Sequence, residues 1–119
     1  MMNVRSINYH NRHFRVLQNS ASGESSGDTE FHYKHIGRIV FADYMGGNIQ
    51  YGHLLGSVDE YGTLEFYYHQ VNLAGELRCG HCKSRPEILT DGRIRLHESW
   101  TWTHGATGAG ESIVEELAP

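Results

Sequence analysis

Residues 93–103, RIRLHESWTWT, alternate strictly between two faces. Ile94, Leu96, Trp100 and Trp102 share one face with Glu98, and Arg95, His97, Ser99 and Thr101 share the other. Period-two alternation rich in aromatic and β-branched residues marks a half-buried strand. The apolar face of this strand holds a carboxylate between Leu96 and Trp100. An unpartnered buried carboxylate is costly, so Glu98 requires an answering group: Arg85, His81, a tyrosine or a ligand.

Outward from this strand the same signal repeats. Strands are expected at 12–19, 29–35, 38–45, 48–58, 63–73, 76–89, 93–103 and 111–117. Between them lie the polar loop SASGESSGD at 20–28, turn signals at Ile36-Gly37, Gly46-Gly47, 59–62, Ala74-Gly75 and Asp91-Gly92, and the glycine-rich loop HGATGAG at 104–110. Residues 1–11 read as a ragged lead-in. Asp-Gly and Gly-Gly pairs accept the positive φ of hairpin turns. About eight short strands joined by successive hairpins close most naturally into an up-and-down antiparallel barrel, because closure removes exposed edges. The fold class is therefore all-β, and 119 residues make one domain over 1–119.

Hairpin lengths convert to cross-strand partners, which share a face. Two-residue loops at Ile36-Gly37 and Gly46-Gly47 set Tyr33 opposite Val40 and Ala42 opposite Tyr51. A four-residue loop at 59–62 sets His53 opposite Tyr68. Two-residue loops at Ala74-Gly75 and Asp91-Gly92 set Tyr68 opposite His81 and Arg85 opposite Glu98. One face then collects Tyr33, Tyr44, Tyr51, His53, Leu55, Tyr68, Gln70, His81, Glu98, Trp100 and Trp102, and this face is the expected interior. Pro86 has no N–H for the ladder and often marks a bulge. A bulge there would turn Cys79, His81 and Arg85 outward and bring Cys82 and Ser84 inward.

A net charge of −4 with Lys and Arg scattered singly gives no basic footprint, so no nucleic-acid partner is expected. No apolar run nears the ~20 residues of a membrane helix. The opening MMNVRSINYHNRHF lacks an apolar signal core, so cytoplasmic residence and two free thiols are expected.

Cys79-Gly80-His81-Cys82 matches the redox sequence of protein disulfide isomerases. That chemistry needs the first cysteine at a helix N-terminus, whereas these flanks read as strand. Nine histidines also invite zinc, but Cys79 and Cys82 point to opposite faces of a strand and no second ligand pair completes a tetrahedron. No metal site is therefore expected. GATGAG, at 105–110, lacks the Lys-Ser/Thr and helix of a phosphate loop. A carboxyl in an apolar pocket beside His53 or His81 would have a raised pKa suited to proton transfer.

The segments FHYKHIG, YMGGNIQYGHLLG, YYHQVNLAGEL, SRPEILTDGRIRLHESWTWT and SIVEEL together resemble a small bacterial family of about this length, from about Ile7 to Leu117. Its members often carry the label N-acetylglutamate synthase. The resemblance implies a small β-barrel similar to the avidin and lipocalin architectures, with an enclosed small-molecule site. It carries over no biotin-site residues. The acetyltransferase fold behind the label uses helices and an acetyl-CoA loop that this chain lacks, so acetyl transfer stands as an alternative only.

The leading expectation is a non-catalytic, small-molecule-binding barrel without cofactor. Its site comprises Tyr33, Tyr44, Tyr51, Tyr68, Trp100 and Trp102 as aromatic wall, with His53, Gln70, His81, Arg85 and Glu98 as polar groups. Two alternatives remain: an enzyme using Glu98 with a histidine, and a structural or interaction protein with a filled barrel. A homodimer is compatible with all three.

Overall fold

The computed structural model describes residues 7–118. Eight strands follow in order: β1 (Arg12–Asn19), β2 (Glu30–Ile36), β3 (Ile39–Gly46), β4 (Ile49–Val58), β5 (Leu64–Asn72), β6 (Leu77–Ile88), β7 (Ile94–His104) and β8 (Ala109–Glu116). Each pairs antiparallel with the next, and β8 pairs back onto β1, so the sheet closes as an up-and-down barrel. The expected architecture is the one observed.

The registers differ from expectation in a regular way. Three hairpins, at 59–63, 72–76 and 89–93, share one construction. The first residue accepts from the glycine three positions on, as in Gly62 N→Asp59 O, Gly75 N→Asn72 O and Gly92 N→Leu89 O. That first residue also donates to the residue after the glycine. Each is thus a three-residue loop whose last member is a glycine in the left-handed region, at φ +85°, +80° and +89°. Counting two or four loop residues instead displaces the register by one and inverts the facing of the next strand. A bulge at Gln50 and Tyr51 supplies a further inversion at the start of β4.

These inversions cancel in pairs. β5 and β7 face as expected, whereas β4 and β6 are reversed. Gly52 and Leu54 point inward on β4, and Cys82 and Ser84 on β6. Pro86 is not the cause: it pairs with Leu96 in an unbroken ladder. At β2–β3 the turn is Gly37-Arg38, so Tyr33 lies opposite Ala42 rather than Val40, a shift of two that leaves the faces unchanged.

Large inward rings sit directly across from glycines. Tyr44 pairs with Gly52, Phe66 with Gly56, Tyr68 with Gly80 and Trp100 with Gly110. A Cβ on Gly80 would lie 2.2 Å from the Tyr68 ring, and one on Gly52 equally close to Tyr44. The glycine leaves room for the ring to lie over the neighbouring strand, an arrangement that suits a tightly coiled sheet.

One end of the barrel is filled. Phe14, Tyr33, Leu96 and Val114 pack there with Tyr9, which is fully buried and donates its hydroxyl to Gly62 O at 2.5 Å. The expected ragged lead-in is thus ordered over 7–11 and caps the barrel, while 1–6 lie outside the described residues. The opposite end is the mouth, framed by the loops at 20–28, 47–48, 73–75 and 105–108.

Candidate functional site

Below the mouth lies a cavity of about 50 Å³. Trp100 and Trp102 form one wall, their ring centres 5.5 Å apart, with Tyr68 edge-on to Trp102 at 5.7 Å. Phe31 stacks on Tyr44 at 4.6 Å across from them. Leu54, Phe66 and Cys82 complete the apolar lining, and Asn19, Gln70, Glu98 and Ser112 supply polar groups. The space holds a few waters and is well short of what a larger ligand needs.

The reason for this small volume is the loop between β1 and β2. It folds inward, and Glu24 enters the mouth with its side chain only 5% exposed. Glu24 Oε1 accepts from Gln70 Nε2 at 2.8 Å, and Oε2 accepts from Asn72 Nδ2 at 2.7 Å. Arg78 Nη1 stands 3.3 Å from Oε2. Trp102 Nε1 donates to Ser22 O and Asn19 Nδ2 to Ser25 O, tying the loop to the rim. The wall groups are held independently. Tyr44 OH donates to Gln70 Oε1 at 2.7 Å, which orients the amide with its NH2 toward Glu24. Asn72 Oδ1 accepts from Ala74 N and Glu76 N in the β5–β6 turn.

Glu98 sits deeper. Ser112 Oγ donates to its Oε1 at 2.9 Å, and Ser84 lies directly across from it on β6. Burial pushes its pKa up to about 7, opposed in smaller part by the hydroxyls of Ser112 and Ser84. The group can therefore offer either a hydrogen-bond donor or a negative charge near neutral pH. The same burial, with the nearby Glu98 charge, raises the Cys82 thiol and makes it unreactive.

The expected site residues divide accordingly. Tyr44, Tyr68, Gln70, Glu98, Trp100 and Trp102 meet around the cavity. Tyr33 points inward but packs in the filled end, against Phe14 and Tyr9. Tyr51, His53, His81 and Arg85 belong to the reversed strands and face outward, which corrects their expected placement. Tyr51 is bonded to Asp43 at 2.5 Å, His81 to Glu65 at 2.8 Å, and His53 lies near Phe41 and His69. The pairing of Arg85 with Glu98 is replaced by that of Ser84 with Glu98. No histidine lines this cavity, and His53 and His81 face away from Glu98; His97 and Glu98 both line an adjoining pocket. Cys79 faces outward and Cys82 inward, both as free thiols. Among the described residues no group of three or more His, Cys, Asp or Glu side chains is arranged to hold a metal ion.

Sequence reasoning missed Asn19, Glu24, Asn72, Arg78 and Ser112. Asn72, Arg78 and Ser112 follow from the correct register. Glu24 has no such signal, because a glutamate in a Ser/Gly loop carries the pattern of a solvated residue.

A barrel closed over eight sequential strands, with paired tryptophans below an open end, invites comparison with known families. A family model described as avidin-like protein matches residues 7–117. The chain belongs to the avidin-like protein family. No curated protein matches it. In this avidin-like barrel the tryptophan pair, the mouth loop and the deep carboxyl all converge on the one cavity.

Proposed function

We propose that this avidin-like barrel binds one small molecule at its mouth end, without catalysing a reaction. One observation carries the reading. Among the described residues two buried side-chain atoms, Asn19 Oδ1 and Arg78 Nε, lack a hydrogen-bond partner, and Ser84 Oγ has at most a weak one in the Glu98 carboxylate. Of these, Asn19 alone lines the cavity, and Ser84 lines the adjoining pocket, which shares Asn19, Glu98 and Ser112 with it. Arg78 lies over the Trp102 ring at the mouth, and Ser84 stands beside Glu98. Buried orphans of this kind are uncommon and call for an explanation. A bound molecule with both donors and acceptors supplies one. Eight-stranded barrels are of a size either to be filled by side chains or to hold one small ligand.

The aromatic wall suits a partly planar body, and Glu98, Ser112 and Gln70 suit polar edges on it. Acetyl transfer is not adopted, because the described residues form no helix whose N-terminus would receive a coenzyme pyrophosphate. A bacterial cytoplasm, where two free thiols persist, is part of the same reading.

Native mass spectrometry of freshly purified protein, compared with the denatured sample, tests it. The expected result is an added mass present only in the native spectrum. The same spectrum reports whether the chain is a monomer or a homodimer, for which the exposed cross-strand neighbours Leu55 and Tyr67 are the first contact to mutate. A bare chain mass, with no stabilisation by any member of a metabolite panel, would overturn the proposal in favour of a filled barrel. That second reading has the small cavity in its favour.

A further inference from the structure

Glu24 behaves as a built-in ligand. Its carboxylate is held by groups mounted on the barrel wall, two amides from β5 and a guanidinium from β6, and those groups are oriented by partners other than Glu24. Such a set of convergent donors is a carboxylate receptor. It would exist with the loop removed.

Glu24 is also an imperfect occupant. Arg78 offers a planar fork of N–H donors suited to two parallel bonds with a carboxylate. Glu24 meets it through Nη1 alone, at 3.3 Å, while Nε is buried and unpartnered. Glu76 takes Nη2 at 3.3 Å from the solvent side. The tether of the loop holds the Glu24 carboxylate on the amides and off the rest of the fork. A free carboxylate, not bound by that tether, is able to shorten the long Nη1 contact, whereas Nε–H points to the Nη2 side that Glu76 holds.

The loop itself is unlike the other connections. The remaining hairpin turns of the mouth are short, whereas this one is a long Ser/Gly segment with Gly23 and Gly27 on either side of Glu24. Its ten residues, 20–29, pack by their own side chains against the rim, as compact loops that frequently carry function do. Directly beneath the carboxylate is the aromatic cavity, so a molecule whose acid group replaced that of Glu24 would place its body against the wall that Trp102 and Tyr68 form.

We infer that the Gln70–Asn72–Arg78 cradle is the anchoring subsite for a small organic carboxylate, and that Glu24 is a tethered competitor which leaves when the ligand enters. This deepens the reading of the barrel as a small-molecule binder and rests on it. Exchange of one carboxylate for another keeps the local charge balance: Arg78 faces Glu24 and Glu76 before, and the ligand and Glu76 after.

The test uses hexanoate and benzoate as probes, with hexanamide and benzamide as their neutral counterparts. Binding is read from the fluorescence of Trp100 and Trp102, the two tryptophans of the chain. Glu24→Ala is expected to bind the acids about tenfold more tightly than the wild type, the factor for a loop seated about nine-tenths of the time. The amides should show no such gain in preference, and adding Arg78→Gln should abolish the preference for acids. Near-UV circular dichroism checks the fold. Should Glu24→Ala lose its packing, Glu24→Gln, which keeps the volume and removes the charge, is read by the same comparison.

Equal affinity of wild type and variant for the acids would overturn the inference, as would equal binding of acid and amide by the opened protein. If the amides bind and the acids gain nothing, the small-molecule reading stands and the carboxylate assignment falls. If no probe binds any variant, the carboxylate assignment falls, and the native mass spectrum decides the small-molecule reading separately.

Discussion

Glu98→Gln separates the electrostatics of the interior from its packing. In the folded barrel the carboxyl titrates near 7 against an ordinary value of 4.5, chiefly through burial. That displacement is worth at most about 3 kcal/mol, because Glu98 is half-buried and solvent screens part of it. The folded state holds the proton more tightly than the unfolded chain, so between these two values it binds more protons, and stability falls as pH rises. The contribution is fully present below pH 4.5 and is lost as pH rises through about 7. Up to about 2.5 kcal/mol of it disappears between roughly pH 5 and pH 8. A glutamine has nearly the same shape, still accepts from Ser112, and does not titrate. The stability of Glu98→Gln minus that of the wild type should therefore increase by up to about 2.5 kcal/mol between these two pH values. Urea unfolding of both proteins at both pH values measures it. The other ionisable groups are common to both proteins and drop out of the difference. A change below about 0.5 kcal/mol, the size of an ordinary surface substitution, or one of opposite sign, would refute the buried-carboxyl argument.

Other outcomes are expected on the same structural grounds. Gly80→Ala places a methyl against the Tyr68 ring and should cost about 2 kcal/mol in urea unfolding; in a Tyr68→Val background most of that cost should vanish. Tyr9→Phe leaves the buried Gly62 carbonyl without the Tyr9 hydroxyl and should lower stability by about 1–2 kcal/mol, read as a shift in the urea midpoint. A thiol reagent such as Ellman's should modify Cys79 in the folded protein and both cysteines in denaturant, because Cys82 is 2% exposed and its thiol is pushed up by burial; rapid labelling of two thiols in the native state would count against the inward facing of Cys82.

The barrel was legible in the sequence because its evidence is local. Alternation in 93–103 and the glycine-bearing turns define strands and hairpins without any knowledge of the tertiary structure. Facing was less legible because it depends on parity. Asp59–Gly62, Asn72–Gly75 and Leu89–Gly92 each build the same three-residue loop, and the residues written there are equally compatible with a loop one residue shorter or longer. The bulge at Gln50 and Tyr51 reverses His53 and the 72–76 loop reverses His81, while the loops at 59–63 and 89–93 restore Tyr68 and Trp100. Glu98 was placed correctly since its strand lies an even number of inversions from β3. Its partner was not, because β6 lies an odd number away. Glu24 was illegible for another reason: its burial comes from the wall it meets, at Gln70, Asn72 and Arg78, and not from its neighbours in the chain.

The aromatic rings lying over glycines bear on how this interior can change. Tyr44 with Gly52, Tyr68 with Gly80 and Trp100 with Gly110 are couplets, each shared between adjacent strands. A smaller ring leaves a hollow that its glycine cannot fill, and a larger residue at the glycine has no space until the ring shrinks. The shape of the cavity is thus written in pairs, and a route to a differently shaped pocket runs through coupled exchanges at both members. A library that varies the rings alone would mostly sample damaged barrels; one that varies ring and glycine together would sample new interiors.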